Sequence, residues 1–154
     1  APIKGNDGFR MMSSPVAGTV YDDILDPLWI QGMTNGDDAS STANIWTYDA
    51  STPAWSALSN LTTASLTAGQ GFLVYVYSDI DFDGDDDISS SKAIELYVAG
   101  QENQATVTIS TTASEWNLLG NPFRVTIDAD QLFTDNSNYT SVVYVYDQDR
   151  KSVV

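Results

Sequence analysis

The chain has 154 residues, 21 acidic against 6 basic side chains, a formal net charge of −15, and neither Cys nor His. So few cations leave little to attract phosphate backbones or anionic lipid, so no nucleic-acid partner and no membrane insertion are expected. Without Cys and His there is no thiol nucleophile, no thiolate zinc site, no disulfide framework and no Ser-His-Asp machinery.

Leu, Ile, Val and Phe make up about 23% of the residues, above the level of roughly 20% below which a strongly charged chain stays disordered. The length suits one domain, residues 1–154, with a core that needs neither metal nor disulfide. The chain opens Ala1-Pro2-Ile3-Lys4, with no initiator Met and no apolar signal region, and reads as a mature or trimmed fragment.

Taken in chain order, the apolar segments are short, rich in Val, Ile, Tyr and Trp, and punctuated by Gly, Asn, Asp and Ser. The first predicted strand is Phe9–Ser13, followed by a helical turn at Tyr21–Leu25 and a turn at Asn35-Gly36. Strands follow at Asn44–Asp49 and Gly71–Ser78, the latter holding the longest apolar run, far short of the roughly 20 residues that span a bilayer. After a turn at Asp83-Gly84, strands are expected at Ala93–Ala99, Ala105–Ser110, Glu115–Leu119 and Ser141–Asp147. A second helical turn, Ala129–Phe133, follows Asp128 as its N-cap. Seven short strands at this spacing predict an all-β fold, an antiparallel β-sandwich of jelly-roll or Ig-like type.

The sequence also repeats itself. A shift of 107 positions places Phe9, Met11 and Met12 on Trp116, Leu118 and Leu119, and Ser14, Pro15 and Val16 on Asn121, Pro122 and Phe123. The same shift carries Thr19, Val20, Asp23 and Leu25 onto Thr126, Ile127, Asp130 and Leu132. After a loop nine residues shorter, Ile45-Trp46-Thr47-Tyr48-Asp49 falls on Val143-Tyr144-Val145-Tyr146-Asp147. The sandwich is therefore expected to consist of two half-repeats, about 8–78 and 115–154. Residues 115–154 hold no counterpart of the Gly69–Tyr77 strand: either the chain is cut at a boundary or this copy never had the strand, or a sheet edge is left open to strand addition.

Three segments, Gly8-Phe9-Arg10-Met11-Met12-Ser13-Ser14-Pro15, Ala68-Gly69-Gln70-Gly71-Phe72 and Trp116-Asn117-Leu118-Leu119-Gly120-Asn121-Pro122-Phe123, resemble motifs of β-rich modules in secreted and surface proteins of the Bacteroidetes. There, W-N-L-I-G-N-P and A-G-Q-G-F recur ahead of a type IX sorting domain. The resemblance implies an extracellular or cell-surface module without catalysis of its own. Residues 1–154 depart from that pattern in containing neither a sorting domain nor a second A-G-Q-G-F.

The strongest chemical signal is Asp79-Ile80-Asp81-Phe82-Asp83-Gly84-Asp85-Asp86-Asp87, six acids in nine residues. Alternating acids before a Gly match the opening of a calcium loop, in which side chains at positions one, three and five converge on the ion. Position twelve is Ser90 rather than Glu, and the flanks read as strands, so the predicted ligands are Asp79, Asp81 and Asp83 with Asp85 or Asp87 completing the shell of a Ca²⁺ ion. Asp22, Asp23 and Asp26, or Asp37 and Asp38, could form a second site, but each also reads as a turn or cap acid.

Trp29 and Trp55 lie in loop-like contexts and are the best candidates for exposed rings that stack on sugars. Trp46 with Tyr48, and Tyr144 with Tyr146, read as cross-strand packing. Nothing pairs Glu95, Glu102 or Glu115 as a glycosidase would require. The sequence thus predicts a non-catalytic, calcium-stabilised structural or interaction module that pairs with itself or with other surface proteins through a strand edge, building a fibre or array. The alternative is a carbohydrate-binding module that meets polysaccharide through Trp29 and Trp55.

Overall fold

The computed structural model describes residues 2–89, 91–136, 139, 144, 146–147 and 152–153. Its strands are β1 (Pro2–Lys4), β2 (Gly8–Met12), β3 (Val16–Ala17), β4 (Thr19–Val20), β5 (Ile45–Asp49), β6 (Ala54–Ala57), β7 (Ser65–Leu66), β8 (Phe72–Val76), β9 (Ala93–Glu95), β10 (Gln101–Glu102), β11 (Tyr146–Asp147) and β12 (Ser152–Val153). Two short helices, α1 (Tyr21–Leu25) and α2 (Ala129–Asp135), interrupt them. The fold is β-rich, and every ladder between strands is antiparallel.

The centre is a four-stranded sheet in the order β2-β8-β5-β6. β8 alternates strictly, with Phe72, Val74 and Val76 buried and Leu73 and Tyr75 half-buried on the other face, the signature of a strand with one side on a core. Ile45 joins the inner face opposite Val74. Against that face pack Tyr21, Ile24 and Leu25 of α1, with Leu28, Ile30, Met33, Leu58, Leu61, Leu66, Ile88 and Leu96. The Tyr21 and Phe72 rings meet edge to face at 5.1 Å, and burial raises the pKa of the Tyr21 hydroxyl. The buried Asn44 amide ties strand to loop, donating to the Trp29 and Tyr75 carbonyls and accepting from the Gln31 N–H.

The outer face carries no charge. Register places Phe9 opposite Tyr75, Met11 and Trp46 opposite Leu73, and Tyr48 opposite Trp55. These side chains shield one another in pairs, Phe9 with Tyr75 at 5.1 Å, Phe9 with Trp46 at 5.7 Å and Tyr48 with Trp55 at 5.2 Å.

α1 forms where the sequence predicts it. Asp23 at its third position reaches back to accept from the Val20 N–H at 2.8 Å, which satisfies a donor at the helix start. α2 starts on Asp128, whose Oδ1 accepts from the Asp130 and Gln131 amides, yet none of its residues is buried.

Predicted strands at 9–13, 44–49 and 71–78 correspond to β2, β5 and β8, and the predicted strand at 93–99 shrinks to β9. Among the described residues, Ala105–Ser110 and Glu115–Leu119 form no ladder beyond a single bridge between Leu119 and Gln70. Ser141–Asp147 lies outside the described residues except at 144, 146 and 147.

The 118–120 segment meets the Gly69-Gln70-Gly71 turn. The Gly71 N–H donates to Leu118 O at 3.3 Å, and the Gly120 N–H donates to Gly69 O at 2.9 Å. Both approaches need glycine. A Cβ on Gly71 would lie 2.7 Å from Leu118 Cγ, and one on Gly120 would collide with the side chain of Ser13. The A-G-Q-G-F and W-N-L-L-G-N-P segments thus touch each other.

Candidate metal centre

The acidic loop leaves β8 and returns to its own start. The amides of Asp87 and Ile88 both donate to Ser78 O, at 2.8 and 3.0 Å, and the Ile88 side chain plugs into the core. The Ser78 N–H donates to Asp7 Oδ1, and its hydroxyl to Asp86 Oδ1. Closure at Ser78 brings the first and last acids of the loop side by side. One carboxylate oxygen each from Asp79, Asp81 and Asp87 lies within 4.8 Å of the others.

Backbone amides fix two of these carboxylates. Asp79 Oδ2 accepts from the Gly84 N–H at 3.0 Å, and Asp87 Oδ2 from the Ile80 N–H at 2.9 Å. Gly84 has φ +100°, which lets the chain fold its amide back toward Asp79. The remaining oxygen of Asp79, Oδ1, is shut off from solvent and has no hydrogen-bond partner. An acceptor buried without a donor is costly, and a cation beside it removes that cost.

Of the five predicted ligands, Asp79, Asp81 and Asp87 converge; Asp83 and Asp85 lie outside the group and are exposed. Asp83 Oδ1 instead accepts from the Asp85 N–H at 3.1 Å. Lys92 leans over the rim. Its ammonium donates to Asp86 O at 2.9 Å and lies 3.6 Å from Asp87 Oδ1 and 3.8 Å from Asp85 Oδ1.

Phe82, between Asp81 and Asp83, holds the loop to the sheet. Its backbone is left-handed at φ +58°, an unfavourable conformation for a bulky residue. Ring contacts compensate, to Trp29 at 4.5 Å and Tyr77 at 5.3 Å. Tyr77 meets Tyr75 at 5.0 Å, so an unbroken file of rings runs from Trp29 through Phe82, Tyr77, Tyr75 and Phe9 to Trp46. Burial and the neighbouring Tyr75 and Asp7 raise the pKa of the Tyr77 hydroxyl.

Trp29 is therefore half-buried in this file, and its indole N–H donates to Gln31 Oε1 at 3.0 Å. Trp55 belongs to β6 rather than to a loop and is 45% exposed. Three of the other acids considered as ligands are engaged elsewhere: Asp23 caps α1, Asp37 Oδ2 accepts from the Ile30 N–H at 2.7 Å, and Asp38 accepts from the Ser40 N–H and from the Ser40 and Ser41 hydroxyls. Those Ser40 and Ser41 hydrogen bonds hold the Asp38 carboxyl down to a pKa of about 2.

The sequence offered Asp85 or Asp87 for the end of the loop, and the choice of Asp87 was not legible in the calcium-loop register. The signal that could have found it is the buried Ile88 directly after it, which pins the end of the loop to its start. No protein-family model, curated protein or solved structure matches this chain.

Proposed function

We propose that the chain is a non-catalytic extracellular structural or interaction module, a sandwich of two related halves in which Ca²⁺ rigidifies the Asp79–Asp87 loop. The observation that carries this reading is the Asp79 carboxylate, whose Oδ1 is buried and unpartnered and one of whose oxygens lies within 4.8 Å of oxygens from Asp81 and Asp87. Three carboxylates suit a hard cation that takes oxygen ligands, with backbone carbonyls and water completing a shell of roughly 6–8. So few protein charges fit the weak class of extracellular sites, with Kd on the order of 10⁻⁴–10⁻³ M.

The resemblance to surface modules of the Bacteroidetes supports the extracellular assignment. In this reading two of the three glutamates have structural partners: Glu95 accepts from the Tyr97 hydroxyl at 2.8 Å and Glu102 pairs with Arg124. Association with copies of itself, or with other surface proteins, runs through open sheet edges and builds a fibre or array.

Calorimetry and thermal melting test the calcium reading. About 10 mM Ca²⁺ is expected to stabilise the protein by roughly 1.4–2.7 kcal/mol, raising Tm by roughly 3–10 °C. Asp79→Ala/Asp81→Ala is expected to abolish both the shift and the binding heat. No heat and no shift in the native chain would leave the loop a solvated acidic tip.

The ring file favours a second reading, a carbohydrate-binding module, because flat rings stack on sugar faces. Trp29 and Trp55 remain its candidates. Undiminished retention of Trp29→Ala and Trp55→Ala on insoluble polysaccharide, or no retention of the native chain, would sink it.

A further inference from the structure

Among the described residues β6 is the outermost strand of the four-stranded sheet, and each of its residues, Ala54-Trp55-Ser56-Ala57, is exposed. Natural edge strands are usually blunted by charge, proline or a bulge. β2, at the opposite edge, carries Arg10 and follows Asp7. β6 carries no charge and no proline, in a chain whose net charge is −15.

The ladder fixes which backbone groups of β6 are free. Trp46 faces Ala57, Thr47 faces Ser56 and Tyr48 faces Trp55, and just beyond them the Leu58 N–H donates to Ile45 O at 3.0 Å. Hydrogen-bonded and non-hydrogen-bonded pairs alternate along an antiparallel ladder. Ala54, Ser56 and Leu58 therefore turn their backbone groups to β5, while the N–H and C=O of Trp55 and Ala57 point away from the sheet.

We propose that β6 is a docking edge for β6 of a second copy, antiparallel, about a two-fold axis perpendicular to the sheet at Ser56. The proposal names the partner of the interaction-module reading and rests on it. In this register Trp55 stands opposite Ala57 of the second copy and the reverse, so all four outward groups of each strand pair and Ser56 faces its own copy. Each large ring lies over a small side chain, as Trp46 already does opposite Ala57 within one molecule. Facing residues share a side of the sheet, so the two uncharged aromatic faces become one face of an eight-stranded sheet.

The pattern of the edge argues for a copy as the occupant. The edge carries no charge for a basic partner to meet, and its large–small alternation is complementary to itself. The copies as wholes repel each other, so salt strengthens this contact by screening, whereas salt weakens contacts between opposite charges. With four residues a side the interface is small, and association is weak and reversible.

Sedimentation of the whole chain up to about 1 mM, at low and high salt and in Ca²⁺ or EDTA, tests the assignment. Expected is a dimer that grows with concentration and salt, with hydrogen exchange at the Trp55 and Ala57 amides slowing as it forms. Ala57→Pro removes an N–H that the monomer does not use, and should keep the monomer's melting temperature while weakening dimerisation at least tenfold. Trp55→Lys, an independent variant with its backbone donors intact, should do the same. A monomer under every condition overturns the proposal, as does a dimer in which the two amides exchange freely and both variants associate like the native chain. Dimerisation unchanged by EDTA, without a calcium melting shift, upholds this edge while the calcium reading fails.

Discussion

Residues 9–25 and 116–132 follow one pattern and meet different fates. In both, the residue before the proline takes the backbone N–H two positions on: Val16 N–H donates to Ser14 Oγ at 3.3 Å, and Phe123 N–H to Asn121 Oδ1 at 2.9 Å. Both carry a short helix about 107 positions apart, and both set a ring against the later aromatic segment, Phe9 tilted on Trp46 at 5.7 Å and Trp116 edge to face with Tyr144 at 4.9 Å. Only the helix of the first region is packed into the core, although Phe9 and Met11 ahead of it are 38% and 45% exposed. Leu25 is 0% exposed, whereas Leu132 is 36%, Trp116 65% and Val125 68% exposed. Local sequence thus sets turns and helices, while burial needs the distant strands β5, β7 and β8, which cover the first region.

The sharpest way to break the comparison is to truncate equivalent leucines. Leu25→Ala is expected to cost about 2–5 kcal/mol by leaving a cavity in the core, and Leu132→Ala no more than about 0.5 kcal/mol. Urea unfolding of the two variants measures the difference. Equal losses would mean that α2 is packed as α1 is.

Gly120→Ala probes the seam where the two regions touch. The added Cβ meets Ser13, and overpacking of this kind costs about 1–3 kcal/mol. Limited proteolysis should then cut after residue 100 sooner, with the segment before it still protected.

The loop offers a smaller effect. Lys92→Met removes the ammonium 3.6 Å from Asp87 Oδ1 and should tighten Ca²⁺ binding several-fold in calorimetry, since lysine and cation compete for that oxygen. Unchanged or weaker affinity would assign Lys92 to holding the loop rather than to competing for it.

Asp38 gives the smallest effect. Its pKa is depressed in the fold from 3.8 to about 2, so its contribution is present above the unfolded value and is lost as pH falls through about 2. Carbon-detected NMR should find a midpoint near the folded value, moving upward in Ser41→Ala.

Strands with a buried face were legible in the sequence because alternation is what burial imposes, as at Phe72, Val74 and Val76. β6 was missed because all its residues are exposed, and only pairing with β5 makes it a strand. The two-residue strands β3, β4, β7 and β10 likewise exist through distant partners. Ala105–Ser110 shows the converse: Val107 and Ile109 are half-buried between exposed neighbours, a strand's period without a ladder among the described residues. At the acidic loop the residue types were legible, but the membership was not, because the junction at Ser78 decides which acids meet.

The most direct test of the calcium loop is an amide NMR titration with Ca²⁺ at constant ionic strength. The account predicts saturable shifts centred on Ile80 and Gly84, whose N–H groups hold Asp87 and Asp79, with a midpoint on the order of 10⁻⁴–10⁻³ M. Shifts that do not saturate, or that sodium reproduces equally across the acidic surface, would contradict it.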